Sequence, residues 1–142
     1  MRFKLVTLDG ELVDTDAYEV IIPTIEGEIS VFPSHEPLIT VAKSGVVAVR
    51  FDKSHANEQL EYFAISGGVV EINGDSVKIL VDEADHGEDI IEAETQEALN
   101  RAIEMRDNAE DQVAIEKAHQ LVDRHMVRLK VADLQRRRKR RM

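Results

Sequence analysis

All three prolines and all seven glycines of this 142-residue chain fall at or before Gly87, and the last 55 residues contain neither. Glycine supplies the backbone freedom of tight turns and proline pre-sets their geometry, so chain reversals are concentrated in the first part of the molecule. That part is rich in Val, Ile and Thr, in short runs divided by Gly, Pro, Asn and Asp, which is the pattern of short strands joined by turns. Strands are expected at residues 3–8, 18–22, 28–32, 46–51, 60–65, 69–72 and 77–81. Their spacing fits a sandwich or barrel. The clearest hairpin spans residues 69–80, where Asn73-Gly74 is expected to supply positive φ between two alternating arms, and Asp9-Gly10 reads the same way.

From Glu88 onward the residues are mainly Ala, Glu, Gln, Leu, Arg and Lys, which favour helix, with no breaker among them. Ile91, Thr95, Ala98, Ala102, Met105 and Ala109 form one narrow stripe, and Ala118, Leu121, His125, Leu129 and Ala132 form a second. The polar stretch Asp107, Asn108, Glu110, Asp111 between them favours a turn. An all-β sandwich over residues 1–85 followed by an antiparallel two-helix hairpin over residues 86–142 is therefore expected. A single long helix is the alternative, since nothing between Arg106 and Val113 is an obligate breaker.

The net charge of −10 is unevenly distributed: −10 over residues 1–85, −8 over residues 86–116 and +8 over residues 117–142. Folded antiparallel, the acidic arm of such a hairpin would face the basic one. Exposed ion pairs contribute only ~0 to 1 kcal/mol each, and alanine seams bury little area, so the hairpin is expected to be marginal and salt-sensitive.

Several chemistries are excluded by what is missing. Zero cysteines remove disulfides and thiolates, and no apolar run approaches the ~18 to 20 residues of a membrane span. The amino terminus lacks the apolar region of a signal peptide, so a cytoplasmic protein is expected. There is no phosphate-cradling glycine loop and no GxSxG elbow. Ser34, His35 and Glu36 are neighbours in sequence and point in different directions in an extended segment, so they are no triad by themselves. His55, His86, His119 and His125 show no metal-binding spacing, and the acidic stretch 82–94 lacks the pattern of a calcium loop. No catalytic residue, cofactor or metal is expected. The run Arg136, Arg137, Arg138, Lys139, Arg140, Arg141 could meet nucleic acid, an acidic protein surface, or only solvent. Against nucleic acid stand the acidity of the remainder and the absence of interleaved aromatics.

Residues 21–40, IIPTIEGEISVFPSHEPLIT, resemble the signature of the ATP synthase epsilon subunit, carried here by Gly27, Val31, Pro33, His35, Pro37 and Leu38. A second stretch, FAISGGVVEINGDSVKILVDEAD, resembles that family's later hairpin, with Gly67, Gly68 and Glu71 in the same order. The resemblance implies a non-catalytic central-stalk subunit of a bacterial F-type rotary ATP synthase, joining the gamma subunit to the c-ring and coupling proton-driven rotation to ATP synthesis. By region, His35, Pro37 and Leu38 are expected near gamma and Glu28 near the c-ring. The helical arm is expected to extend into the alpha/beta catalytic head and hinder ATP hydrolysis through Arg124, Arg128, Arg136, Arg137, Arg138, Lys139, Arg140 and Arg141. A straightened segment of 50 helical residues would be ~75 Å long, enough to reach well beyond a small sandwich. The implied location is the cytoplasmic face of the bacterial plasma membrane, peripheral and attached only through the complex, with no nucleic acid involved.

One departure stands out. The ATP-binding motif of many bacterial members aligns with Ile90 to Thr95, where its Asp is replaced by Ile91 and its Arg by Glu94. A carboxylate repels a triphosphate, so no useful ATP binding is expected. A free-standing adaptor that binds nucleic acid or another acidic partner through the terminal arginines is the alternative reading.

Overall fold

A computed structural model describes residues 1–141, with side chains for residues 1–140. Ten strands come first: β1 (Arg2–Thr7), β2 (Gly10–Asp16), β3 (Glu19–Thr24), β4 (Gly27–Val31), β5 (Leu38–Ala42), β6 (Gly45–Arg50), β7 (Glu61–Ile65), β8 (Gly68–Asn73), β9 (Ser76–Val81) and β10 (Ala84–His86). Helices α1 (Glu92–Asp107) and α2 (Gln112–Arg141) complete the chain. All seven expected strands are present. β2, β5 and β10 are not among the strands expected from sequence. The first is almost wholly exposed and held by its pairing with β1, the second follows directly on Pro37, and the third has three residues.

The strands follow one another in the order β10-β7-β6-β3-β5-β8-β9-β1-β2, with β4 beside β3. β3 and β5 meet at a single pair, Thr24 with Ala42, so the sheet folds there into two layers. Side chains alternate across each strand, and one set from each layer faces the other. Phe3 and Leu5 of β1, Val70 and Ile72 of β8, and Val77 and Ile79 of β9 meet Val20 and Ile22 of β3, Val47 and Val49 of β6, and Phe63 and Ile65 of β7. Phe3 and Phe63 stack edge to face across this core, 6.4 Å between ring centroids.

The alternate residues of β6 and β7 point outward. Val46, Tyr62 and Ala64 pack with Ile90 against Val127, Val131 and Ala132 of α2. α1 packs in turn on α2, with Leu99 and Ala102 against Val122, so α2 lies between α1 and the sheet. Asn108 caps α1, and Asp111 Oδ1 accepts from the Ala114 N–H at 2.8 Å at the start of α2, so the polar stretch is the reversal.

Two local expectations are corrected. In α1 the buried residues are Thr95, Leu99 and Ala102, while Ile91 and Met105 of the expected stripe are largely exposed. A 3.6-residue helix drifts from a strict seven-residue repeat, and burying Leu99 removes more apolar surface than the neighbouring alanines would. In the β8–β9 turn neither Asn73 nor Gly74 has positive φ. Asn73 Oδ1 instead accepts from the Asp75 N–H at 3.1 Å, an Asx turn made by the side chain.

Candidate docking face and helical latch

The outer face of the second layer carries an apolar row that crosses four strands. Strand register sets Val41 of β5 opposite Val69 of β8, Val69 opposite Leu80 of β9, and Leu80 opposite Val6 of β1. Ile25, in the β3–β4 turn, extends the row, its N–H donating to the Val41 carbonyl at 3.1 Å. Ile39 lies one alternation further along β5 and is 74% exposed; Ile25, Val41 and Val69 are exposed as well. One step along the strands the same face becomes charged, with Glu71, Lys78, Lys4 and Asp14 in successive register. A contiguous exposed apolar strip beside a charged one is the composition of a protein-binding surface.

Of the residues named from sequence, Pro37 and Leu38 border this face at one end of β5, in an open groove with Ile39 and Glu71. His35 is half-buried in the preceding loop, its Nδ1 2.7 Å from the Glu36 carbonyl. That loop is tied to the β8–β9 turn by the Ser34 N–H donating to the Gly74 carbonyl, with Ser34 at φ 69°. Glu28 lies within β4, opposite Pro23, exposed and next to the turn at Gly27. Thr24 pairs with both Gly27 and Ala42, which puts Glu28 at the Ala42 end of the sandwich and His35 at the Leu38 end. Ile25, Ile39, Val41, Val69, Leu80 and Val6 are not among the site residues expected from sequence. The alternation of β5 against β8 is the signal that would have found them, had β5 been recognised.

The arginines of α2 are engaged elsewhere. Arg124 Nη1 lies 2.6 Å from Glu83 Oε2, and Arg128 Nε lies 3.1 Å from Asp85 Oδ2, an ion pair without hydrogen-bond alignment. Arg136 Nη1 donates to both Glu92 carboxylate oxygens at 3.0 and 3.1 Å, and Arg138 Nη1 stands 4.0 Å from Glu88 Oε1. Arg136 and Arg137 also pair with Asp133. Lys139 and Arg140 have no ion pair among the described residues, and the side chain of Arg141 lies outside them. The basic arm does face the acidic arm, as expected, but most of its ion pairs are made with other carboxylates. Among the described residues Arg136–Glu92 is the only ion pair from helix to helix, because α2 sits on the sheet and its basic half runs over Glu83, Asp85 and Glu88.

These partners bear on the nucleotide motif too. Ile90 is buried against the sheet, Glu92 is held by Arg136, and Arg124 and Arg128 are already neutralised by carboxylates. His125 lies between them on α2, its Nδ1 buried without a partner. Burial pushes its pKa down, and Arg128, Arg124 and Arg101 act in the same direction against Glu83. A histidine with a lowered folded pKa favours the folded state above its unfolded pKa of about 6.5 and loses that contribution as pH falls through the folded value. His125→Gln should therefore lessen the loss of thermal stability between pH 8 and pH 5; an unchanged slope would show that the ring takes up its proton as readily in the folded as in the unfolded chain.

Residues 1–87 match the family described as ATP synthase, Delta/Epsilon chain, beta-sandwich domain. The chain belongs to this family. An ATP synthase epsilon chain of Chromobacterium violaceum is 33% identical over 133 residues, covering 94% of this chain and 93% of that one. One of Staphylococcus aureus is 33% identical over 135 residues, covering 94% and 97%. Among solved structures, a chain of the Euglena gracilis mitochondrial ATP synthase (OSCP/F1/c-ring) matches with a TM-score of 0.75 at 22% identity, over 92% of this chain and 79% of that one. A chain of the Tetrahymena thermophila mitochondrial ATP synthase central stalk and c-ring gives 0.58 at 16%, over 93% and 96%. The family match ends where the helical part begins, and the matches to the epsilon-chain relatives, over 94% of the chain, reach into both helices. No helix among the described residues is long and apolar enough to cross a membrane.

Proposed function

We propose that this chain is the epsilon-type rotor subunit of an F-type ATP synthase, a non-catalytic connector between gamma and the c-ring whose helical arm restrains ATP hydrolysis. The observation that carries the reading is the apolar row Ile25–Val41–Val69–Leu80–Val6, exposed at Ile25, Val41 and Val69 and half-buried at Leu80 and Val6, on the layer opposite the helices in a chain of this family. That row is the gamma-docking face, with His35, Pro37 and Leu38 at its margin. Glu28, at the other end of the sandwich beside the β3–β4 turn, meets the c-ring. The subunit then sits on the cytoplasmic side of the bacterial plasma membrane, attached only through its partners, and needs no nucleotide, metal or nucleic acid.

The cations of α2 have two alternative sets of partners. Docked, Arg124, Arg128, Arg136 and Arg138 hold the carboxylates of the sandwich and the joint. Released, they face an acidic surface of the alpha/beta head together with Arg137, Lys139, Arg140 and Arg141. The apolar contacts under α2 are few and small, so exchanging one set of ion pairs for the other needs little free energy. Truncation after Glu116 tests the arm. The sandwich keeps its own core without α2, so the shortened chain folds and still docks on gamma. Hydrolysis by the assembled enzyme should rise several-fold. An unchanged rate would remove the inhibitory role. Failure of the full chain to form a complex with gamma, with capture by nucleic acid lost on deleting residues 136–142, would favour the adaptor instead.

A further inference from the structure

His86 ends β10 and stands at the joint between sandwich and helices. Its Nδ1 accepts a hydrogen bond from the Glu88 backbone N–H at 3.1 Å, capping the 3₁₀ turn Gly87–Asp89. Its Nε2 lies 3.1 Å from Glu61 Oε1 on β7, and its ring stands edge-on to Phe63 with centroids 4.7 Å apart. An imidazole that accepts at Nδ1 and donates at Nε2 is the neutral tautomer. The turn that it caps is the seat of α2. Gly87 is buried, and a Cβ there would stand 3.0 Å from Gln135 Oε1, 3.1 Å from Val131 Cγ1 and 3.0 Å from the Tyr62 carbonyl. Gln135 is 4% exposed, and neither polar atom of its side chain has a hydrogen-bond partner. Any shift of the turn is therefore felt directly by α2.

We propose that His86 is a proton-sensitive catch: a proton taken up at Nδ1 turns that atom into a donor facing the Glu88 N–H, breaks the cap and loosens the seat of α2. Imidazoles are the side chains that change charge between pH 8 and pH 5. The surrounding charges decide which half of the clamp yields. On β7, Glu61 pairs with the imidazolium and keeps the ring on the sheet. In the turn and on β10, Glu88 and Asp85 face Arg138 and Arg128 of α2. His125, also on α2, is a second group that responds to acid. The ring stays with Glu61 and the turn is released, so acidification favours the undocked arm. The catch belongs to the isolated chain; its regulatory meaning rests on the inhibitory arm proposed above.

The chain has no cysteine, so Lys53→Cys and Lys139→Cys, both at exposed positions, accept a spin-label pair that reports the distance between sandwich and arm. In a His125→Gln background the undocked population should grow between pH 8 and pH 5.5. The protection factor of the Glu88 amide, normalised for intrinsic exchange, should fall about fivefold, as loss of a cap implies. His86→Asn offers an acceptor oxygen near the Nδ1 position without titrating, and should flatten both responses. His86→Arg, with no acceptor, should show the loosened state already at pH 8. The proposal is overturned if His86→Asn keeps the full pH response, or if Glu88 protection is constant across the range. Docking that follows pH in a chain whose truncation leaves hydrolysis unchanged would uphold the catch and reject the inhibitory arm; the reverse result would do the opposite.

Discussion

Gly68→Ala is expected to unfold the sandwich or to cost more than ~3 kcal/mol of its stability. A Cβ on Gly68 would stand 1.9 Å from the Leu80 carbonyl oxygen, 2.9 Å from the Leu80 carbonyl carbon and 2.9 Å from Val81 Cγ1. The obstacle is backbone within a ladder: Gly68 pairs with Val81 and Val69 with Leu80, so the carbonyl cannot turn aside without breaking the β8–β9 pairing. Overpacking against movable side chains typically costs ~1 to 3 kcal/mol, and an immovable backbone places this site at or beyond the top of that range. Total stability of a small domain is only ~5 to 15 kcal/mol. Gly74→Ala is the control, since a Cβ there meets nothing within 4 Å and its φ is not positive. Urea midpoints of the two variants decide the matter. Equal midpoints would mean that β8 and β9 do not approach as closely as described.

That close approach was legible in part. Ser66-Gly67-Gly68 reads as a close-packing element from sequence alone, and the two-part organisation follows directly from where glycine and proline stop. Hydrophobic alternation located seven strands because each has apolar residues on at least one buried face. β2 escaped because it is an edge strand whose backbone pairing, with only Val13 packed against the core, holds it in place. β5 escaped because it carries apolar residues on both faces, Ala42 toward the interior and Ile39 and Val41 toward the docking row, with Leu38 exposed at its start, which erases the period of two. The same cause hid the candidate site. Its residues pass for ordinary strand interior until β8 is laid beside β5 and the register shows which of them face outward. The partners of the α2 arginines were hidden for a different reason. Charge blocks along a chain tell the sign of each arm but not its neighbours, and α2 chose the carboxylates of β10 and the joint because it packs on the sheet.

Placing charge in the outward row should abolish assembly while leaving the fold intact. Val41→Asp combined with Val69→Asp introduces two adjacent carboxylates where register sets the two valines opposite each other. Both positions are exposed in the isolated chain, so the variant keeps its interior and its thermal midpoint should change little, apart from modest repulsion between the new carboxylates. In a complex the row is covered. Each valine then loses ~1.5 kcal/mol or more of apolar burial, and each carboxylate must be desolvated without a partner. Together these exceed the ~2.7 kcal/mol that corresponds to a hundredfold change in affinity, so binding to gamma should weaken by at least about a hundredfold. Glu71→Gln, on the same face but in the charged row beside it, separates apolar docking from general electrostatics and should change affinity far less. The measurement is a titration of purified gamma with each variant, alongside circular dichroism to show that the sandwich is intact. A well-folded double variant that still binds gamma like the parent would move the docking surface off this face. Gamma's contact would then lie at Glu28 or along α2, and the apolar row would need another occupant.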